Sequence, residues 1–214
     1  MTGAPELAFT VLGVVPERPA AAPTLRFSLG IDSGSAAVRS VMLDVQLRIA
    51  ATQRGYDEAE QALLAELFGE PHRWADTLRG LLWTQATLVI PPFDGSTVAD
   101  LYVPCTYDFD VAAAKYLAAL GDGDVPLELL FSGTVFYAGP GGALQVSRIS
   151  WAAEAAYRLP VRVWREAIDA HFPHSAWLRL DRDAFDRLAA FKASRTLPSW
   201  EAALDVLLEA ADAP

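Results

Sequence analysis

The stretch Val41-Leu43-Val45-Leu47-Ile49, interleaved with Met42, Asp44, Gln46 and Arg48, constrains the chain most. Apolar residues at every second position put one face of a strand on a core and the other in water. That patterning belongs to antiparallel sheets with one solvated side. Leu25-Phe27-Leu29-Ile31 alternates in the same way with Arg26, Ser28 and Gly30, and Leu7-Phe9-Val11 gives a shorter version. The Pro-rich stretch Pro16 to Pro23 joins the first two strands and cannot be a central strand. Asp32-Ser33-Gly34-Ser35 reads as a turn between the second and third.

A helix is expected next. Asp57 followed by Glu60 is a capping-box pattern, in which Asp accepts a backbone N–H and Glu reaches back. Leu63, Leu64, Leu67 and Phe68 form its apolar face and Gly69 its stop. Strand character returns over Leu81 to Ile90, a turn follows at Pro91-Pro92-Phe93-Asp94-Gly95, and a further strand runs from Val98 to Val103. Segment 108–120 satisfies both periods: Ala112-Ala113-Ala114 favours helix, and Phe109-Val111-Ala113 alternates as a strand. Gly121 to Asp124 is a turn, Pro126 to Tyr137 a strand, and Gly139-Pro140-Gly141-Gly142 turns the chain into a hairpin with Leu144 to Ile149.

After Trp151 the pattern becomes helical. Val161, Trp164, Ile168, His171 and Phe172 follow Pro160 at helical spacing until Pro173; Asp181 to Ser194 gives a second helix, and Ser199 caps a third. The expected fold is therefore α+β: a mostly antiparallel sheet or sandwich unit over residues 1–150 with one inserted helix. A helical C-terminal third, 151–214, packs on it as one compact domain.

Composition excludes several function classes. The chain has 214 residues, 52% of them hydrophobic, with six Trp, so it can bury a core rather than remain disordered. The net charge of −10 opposes a broad nucleic-acid surface or docking on anionic lipid. Residues 1–150 hold 17 acids against 9 bases, so the charge resides mainly in the sheet unit. No basic segment followed by an apolar one opens the sequence, and the uncharged run Gly80 to Phe93 is too short to span a bilayer. One cysteine, Cys105, fits a reducing cytoplasm. Arginine supplies 15 of the 17 basic residues, a mark of a GC-rich genome.

No motif carries chemistry outright. Gly139 to Gly142 lacks phosphate-loop spacing and precedes a strand where a helix is needed. His171 and His174 bracket Pro173, which breaks the helix that would aim both at one ion; a histidine at a helix end explains them. No C-x-x-C or H-E-x-x-H occurs, and Phe131-Ser132-Gly133-Thr134 is no nucleophile elbow. Neither catalytic residues nor a metal site nor a cofactor is assigned. The paired acids Asp108/Asp110, Asp122/Asp124 and Asp181/Asp183 could hold a cation or exchange a proton, yet turns, caps and strand edges explain them. Seven acids against one base between Asp94 and Glu128 suggest either an acidic face that steers a basic partner or charge that serves solubility alone. Arg158, Arg162 and Arg165 fall at i, i+4 and i+7 near Trp164 and would share a helix face if that helix began early. Tryptophan and arginine are enriched in protein-binding hot spots. Asp108, Asp110, Asp122, Asp124, Arg158, Arg162, Trp164 and Arg165 are accordingly the candidate partner-binding residues.

Four segments carry a resemblance: Val103-Pro104-Cys105-Thr106-Tyr107-Asp108-Phe109, Ala114-Lys115-Tyr116, Leu130 to Phe136, and Leu159-Pro160-Val161-Arg162-Val163-Trp164. With Val11-Leu12-Gly13-Val14 and Leu197-Pro198-Ser199-Trp200, the sequence resembles an uncharacterised actinobacterial domain family whose members are often encoded beside nickel–iron hydrogenase genes. The resemblance implies a non-enzymatic cytoplasmic accessory or assembly protein, with a hydrogenase subunit or maturation factor as protein partner. It transfers no catalytic residues. Two other expectations stand beside it: a metal binder or enzyme using the acids near Asp108 and Asp110, and a holdase similar to SecB-type export chaperones in its acidity and architecture.

Overall fold

A computed structural model describes residues 4–106, 108, 111–173, 175 and 179–212. Its organising element is β2, Thr24–Ile49, which runs through both alternating stretches read from the sequence. Leu25, Phe27, Leu29 and Ile31 are buried, and so are Val41, Leu43, Val45, Leu47 and Ile49, as the odd-numbered pattern demands. The expected turn at Asp32 to Ser35 does not reverse the chain. It is a kink inside one strand, with a register shift between Asp32 and Ala37. Gly34 takes a positive φ of 64° and its N–H donates to Asp32 Oδ1 at 2.6 Å. The opposing strand kinks at the matching place, Gly95 with φ 71°, and Ser33 Oγ donates to Gly95 O at 3.0 Å. Pairing of Ser96 with Asp32 and of Asp94 with Ala37 on either side holds the strand together.

The two halves of β2 have different partners. The first pairs antiparallel with β1, Ala8–Pro16, and with β4, Phe93–Pro104. The second pairs antiparallel with β3, Leu81–Ile90, and with β5, Asp124–Ala138. The reversal before β4 is confined to Pro91-Pro92, so that strand starts earlier than the Val98 read from the sequence. β5 in turn changes partner along its length. Its start pairs with β7, Glu154–Pro160, and its end with β6, Leu144–Arg148. The arms fold over a shared core, where the Phe9 ring stacks on Phe131 with centroids 4.2 Å apart and Phe27 meets Tyr157 edge-on at 6.3 Å.

Six helices accompany these seven strands among the described residues: α1 Glu58–Phe68, α2 Trp74–Thr77, α3 Ala112–Ala119, α4 Val161–Asp169, α5 Arg182–Ser194 and α6 Trp200–Asp212. None is long and apolar enough to cross a membrane. The ambiguous 108–120 segment resolves to helix α3, because burial of Ala113, Ala114, Tyr116 and Leu117 rewards the helical period. The helical reading of 151–214 misses β7. Ala155, Tyr157 and Leu159 alternate for only a few residues, and it is pairing with β5 that makes them a strand.

Residues 1–176 form one compact unit, which includes β7 and α4; residues 177–214 form a second. In the second, Asp181 accepts the Ala184 N–H and Ser199 the Ala202 N–H, as the capping residues foretell. Phe185 of α5 packs against Trp200 of α6 at 5.4 Å.

Candidate functional site

Of the sequence-derived candidates, Asp122, Asp124 and Arg165 meet at the turn Leu120 to Asp124, whose backbone is also held by Arg54 and Glu60. Arg54 Nη2 lies 2.8 Å from Glu60 Oε1 and 2.5 Å from the Asp122 carbonyl oxygen. Glu60 Oε1 also accepts the Gly121 N–H at 2.8 Å. From α4, Arg165 donates to the carbonyls of Gly121 and Leu120, and the Val161 N–H donates to Gly123 O at 2.9 Å. The capping box is therefore half formed. Asp57 Oδ1 accepts the Glu60 N–H, but the Glu60 side chain turns inward to meet Arg54. Beside this knot the Tyr56 and Tyr116 hydroxyls are 2.7 Å apart, and Tyr56 OH donates to Ala51 O at 2.6 Å. Burial raises both phenols above their ordinary range; the Tyr56 hydrogen bond reinforces this for Tyr116, whereas the Tyr116 bond and Arg54 oppose it for Tyr56.

These contacts make the region a scaffold. Asp122 contributes a carbonyl, and Asp124 opens β5 opposite Pro160. Trp164 is 3% exposed, a core residue unavailable to a partner. Arg158 lies on β7 opposite Pro126 and shares no helix face with Arg162 and Arg165. The cause is Pro160, which caps α4 so that the helix begins at Val161. Asp108 precedes α3, half-buried, with its N–H on Thr106 Oγ1; Asp110 lies outside the described residues. Nearby Cys105 is buried, and burial pushes its thiol up to about 12. No cluster of three or more His, Cys, Asp and Glu suited to a metal ion occurs among the described residues. His171 ends α4 as expected, its ring nitrogens each 3.0 Å from a carbonyl, Ala167 O and Ala20 O; His174 lies outside the described residues.

The acids between Asp94 and Glu128 are distributed over separate elements. Asp100 on β4 accepts from Ser28 and Arg26, and Glu128 on β5 accepts from Gln53.

A different surface stands out on the solvent side of the second β2 arm. Cross-strand partners share a face. The register therefore aligns Val89, Met42, Thr134 and Arg148 in one row, and Ser40, Phe136 and Val146 in the next. Leu144 lies beyond, opposite Ala138. Val89 is 71% exposed, Leu144 66%, Val146 58% and Met42 50%, an apolar surface with no cover. On the same face, in the rows beyond Met42, Asp44 accepts from Thr87 Oγ1 at 2.6 Å, and Asp44, Gln46, Gln85, Thr87 and Ser132 line a shallow groove of about 320 Å³. Trp151, in the turn between β6 and β7, is 96% exposed. A surface tryptophan so fully presented to water is unusual, since the residue ordinarily buries most of its area.

A family model described as a family of unknown function, DUF6084, matches residues 4–214. The chain belongs to the DUF6084 family. No curated protein matches its sequence. Among solved structures this DUF6084 chain is similar to a late embryogenesis abundant (LEA) protein, with 16% identity and a TM-score of 0.30, covering 73% of this chain and 72% of that one. It is also similar to beta-glucosidase 3B from Thermotoga neapolitana (12%, TM-score 0.26) and to a Kluyveromyces marxianus beta-glucosidase (8%, TM-score 0.27). These alignments cover 72% of the DUF6084 chain but only 17% and 15% of the glucosidases.

Sequence reasoning counted Trp151 among six tryptophans without separating it from the rest. The available signal was its place between the β6 hairpin and β7, where Ser150 and Ala152 offer nothing to pack against. The other tryptophans differ: Trp74 meets Tyr56 and Phe68 edge-on, Trp83 is half-buried on the core, and Trp177 lies outside the described residues.

Proposed function

We propose that this DUF6084 protein is a non-enzymatic accessory factor that acts by binding another protein through the exposed face of β3, β2, β5 and β6. The observation that carries the proposal is Trp151, 96% exposed, beside a strand that turns Leu144 and Val146 to solvent. Aromatic anchors ringed by apolar neighbours dominate binding energy at protein interfaces. The resemblance noted above names the partner class: a nickel–iron hydrogenase subunit or maturation factor in the cytoplasm of an actinobacterium.

Affinity capture from native cells with the tagged chain tests both levels. Recovery of a hydrogenase component by the natural chain, and its loss with Trp151→Ala at unchanged thermal stability, supports the proposal. Recovery of no such component, under conditions that recover a known accessory pair, refutes the partner class. Capture that survives Trp151→Ala refutes the surface.

A holdase reading draws on exposed apolar residues of the other arm as well, where Leu12 lies over Gly30 beside Val98. It predicts that the purified chain suppresses aggregation of an unfolded client such as citrate synthase. An unchanged aggregation rate removes it.

A further inference from the structure

We infer that the partner binds as an added strand: an extended segment with apolar residues at alternate positions and a terminal carboxylate, paired along the free edge of β6. The inference deepens the protein-binding reading above and rests on it. Three observations carry it.

The first is the edge itself. Among the described residues β6 pairs with β5 alone. The Ile149 N–H donates to Gly133 O, and Ala143 O accepts from Gly139 N, so odd-numbered residues direct their backbone groups to β5. In an antiparallel ladder the alternate residues point the other way. The N–H and C=O groups of Leu144, Val146 and Arg148 therefore face solvent, in a row that an extended chain matches.

The second is that the same three residues place their side chains on the exposed apolar face. An added strand gains backbone hydrogen bonds and side-chain contacts together, with Trp151 at the end of the edge. Proteins usually protect an open edge with charge, proline or a covering element. Here Arg148 is the one charged residue of β6.

The third is charge. Arg148, at the end of β6, makes no hydrogen bond or ion pair among the described residues. An unpaired guanidinium group at the end of this edge strand suits a segment with a carboxylate opposite it. The same fact disfavours a second copy. β6 reads Leu-Gln-Val-Ser-Arg, so two copies paired edge to edge bring two arginines and no acid, on chains each carrying −10.

Full-length protein labelled with 15N is titrated with acetyl-Glu-Val-Thr-Val-Thr-Val-Glu-amide. One set of peptide variants is N-methylated on the backbone edge that faces β6, another on the opposite edge. Strand addition predicts perturbed amides at Leu144, Val146 and Arg148. It also predicts at least about tenfold weaker binding for the first set and little change for the second. Val146→Pro gives the matching test on the protein. Its N–H points outward, so proline is compatible with the existing ladder; thermal stability is retained and peptide binding is lost. Val146→Asn keeps the backbone donor, removes the apolar side chain, and weakens binding less than proline does. Absence of peptide binding, or equal effects of the two methylation patterns, overturns the inference. So does a concentration-dependent dimer abolished by Val146→Pro, which would make a second copy the occupant. Loss of cellular capture with Trp151→Ala but not with Val146→Pro refutes strand addition and leaves the protein-binding face standing. Capture insensitive to both refutes the face as well.

Discussion

Gly133 controls where β5 leaves β7 and takes up β6, and its replacement by alanine is the sharpest test of the fold. Its φ is 133°, and a Cβ there would lie 2.0 Å from Met42 O and 3.0 Å from Met42 C. An ordinary carbon–oxygen contact is about 3.3 Å, so β2 and β5 would have to part locally by about 1.3 Å. Both strands are held elsewhere by pairing from Val38 to Ile49, and the neighbours Leu43 and Val135 are fully buried, which leaves no easy relaxation. Losing about two ladder hydrogen bonds at about 1 kcal/mol each, with about 1–3 kcal/mol for a backbone region that L-residues avoid, totals about 3–5 kcal/mol. Domains have about 5–15 kcal/mol in all. For a chain of this size the melting temperature should fall by about 6–20 °C. Thermal and urea unfolding by circular dichroism measure the loss. Gly13→Ala is the control: nothing lies within 4 Å of its added Cβ, and it should stay within about 0.5 kcal/mol. A Gly133→Ala variant melting within about 3 °C of the natural chain would refute the close approach of β5 to β2.

Two further outcomes follow from the buried polar groups. Arg54→Met strips the ion pair from a Glu60 side chain only 5% exposed and should cost about 3–5 kcal/mol; adding Glu60→Leu should restore part of that, and additive losses in urea midpoints would contradict the coupling. Cys105 is raised from 9.0 to about 12, so above pH 9 the unfolded chain sheds a thiol proton that the native chain keeps. Stability is then present in full below pH 9 and falls as pH climbs toward 12, by about 1.4 kcal/mol per pH unit from this thiol. Tyr56 and Tyr116, also raised, act in the same direction above 10.0. Cys105→Ala should flatten the decline between about pH 9 and pH 10; an unchanged slope in urea titrations counts against burial of the thiol.

The local patterns of this chain were legible because each has a short-range cause. Alternation placed both halves of β2, Asp57, Asp181 and Ser199 marked helix starts, and Pro160 marked the start of α4. The errors occurred where two distant segments decide together. Asp32 to Ser35 has the composition of a turn, but Gly95 kinks in step with Gly34 and keeps β2 continuous. Glu60 has the spacing of a capping residue, but Arg54 and Gly121 give its carboxylate a better-satisfied position inside. Trp164 and Arg158 were grouped by helical spacing, and the pairing of β7 with β5 separates them.

The candidate site was the least legible part, for the same reason. Nothing in Leu144-Gln145-Val146-Ser147-Arg148 tells whether one or both edges of that strand are paired. Taken singly, Met42, Val89 and Val146 look like the half-buried residues of any sheet. The sequence by itself determined the alternating, antiparallel character of most of the chain, its charge and the starts of α1, α4, α5 and α6, because those depend on residues within a turn or two of each other. Only the tertiary structure decided which acids and arginines hold backbone, which tryptophan is left in water, and that the outer edge of β6 is unpaired among the described residues. Burial and pairing are properties of segments brought together from across the chain.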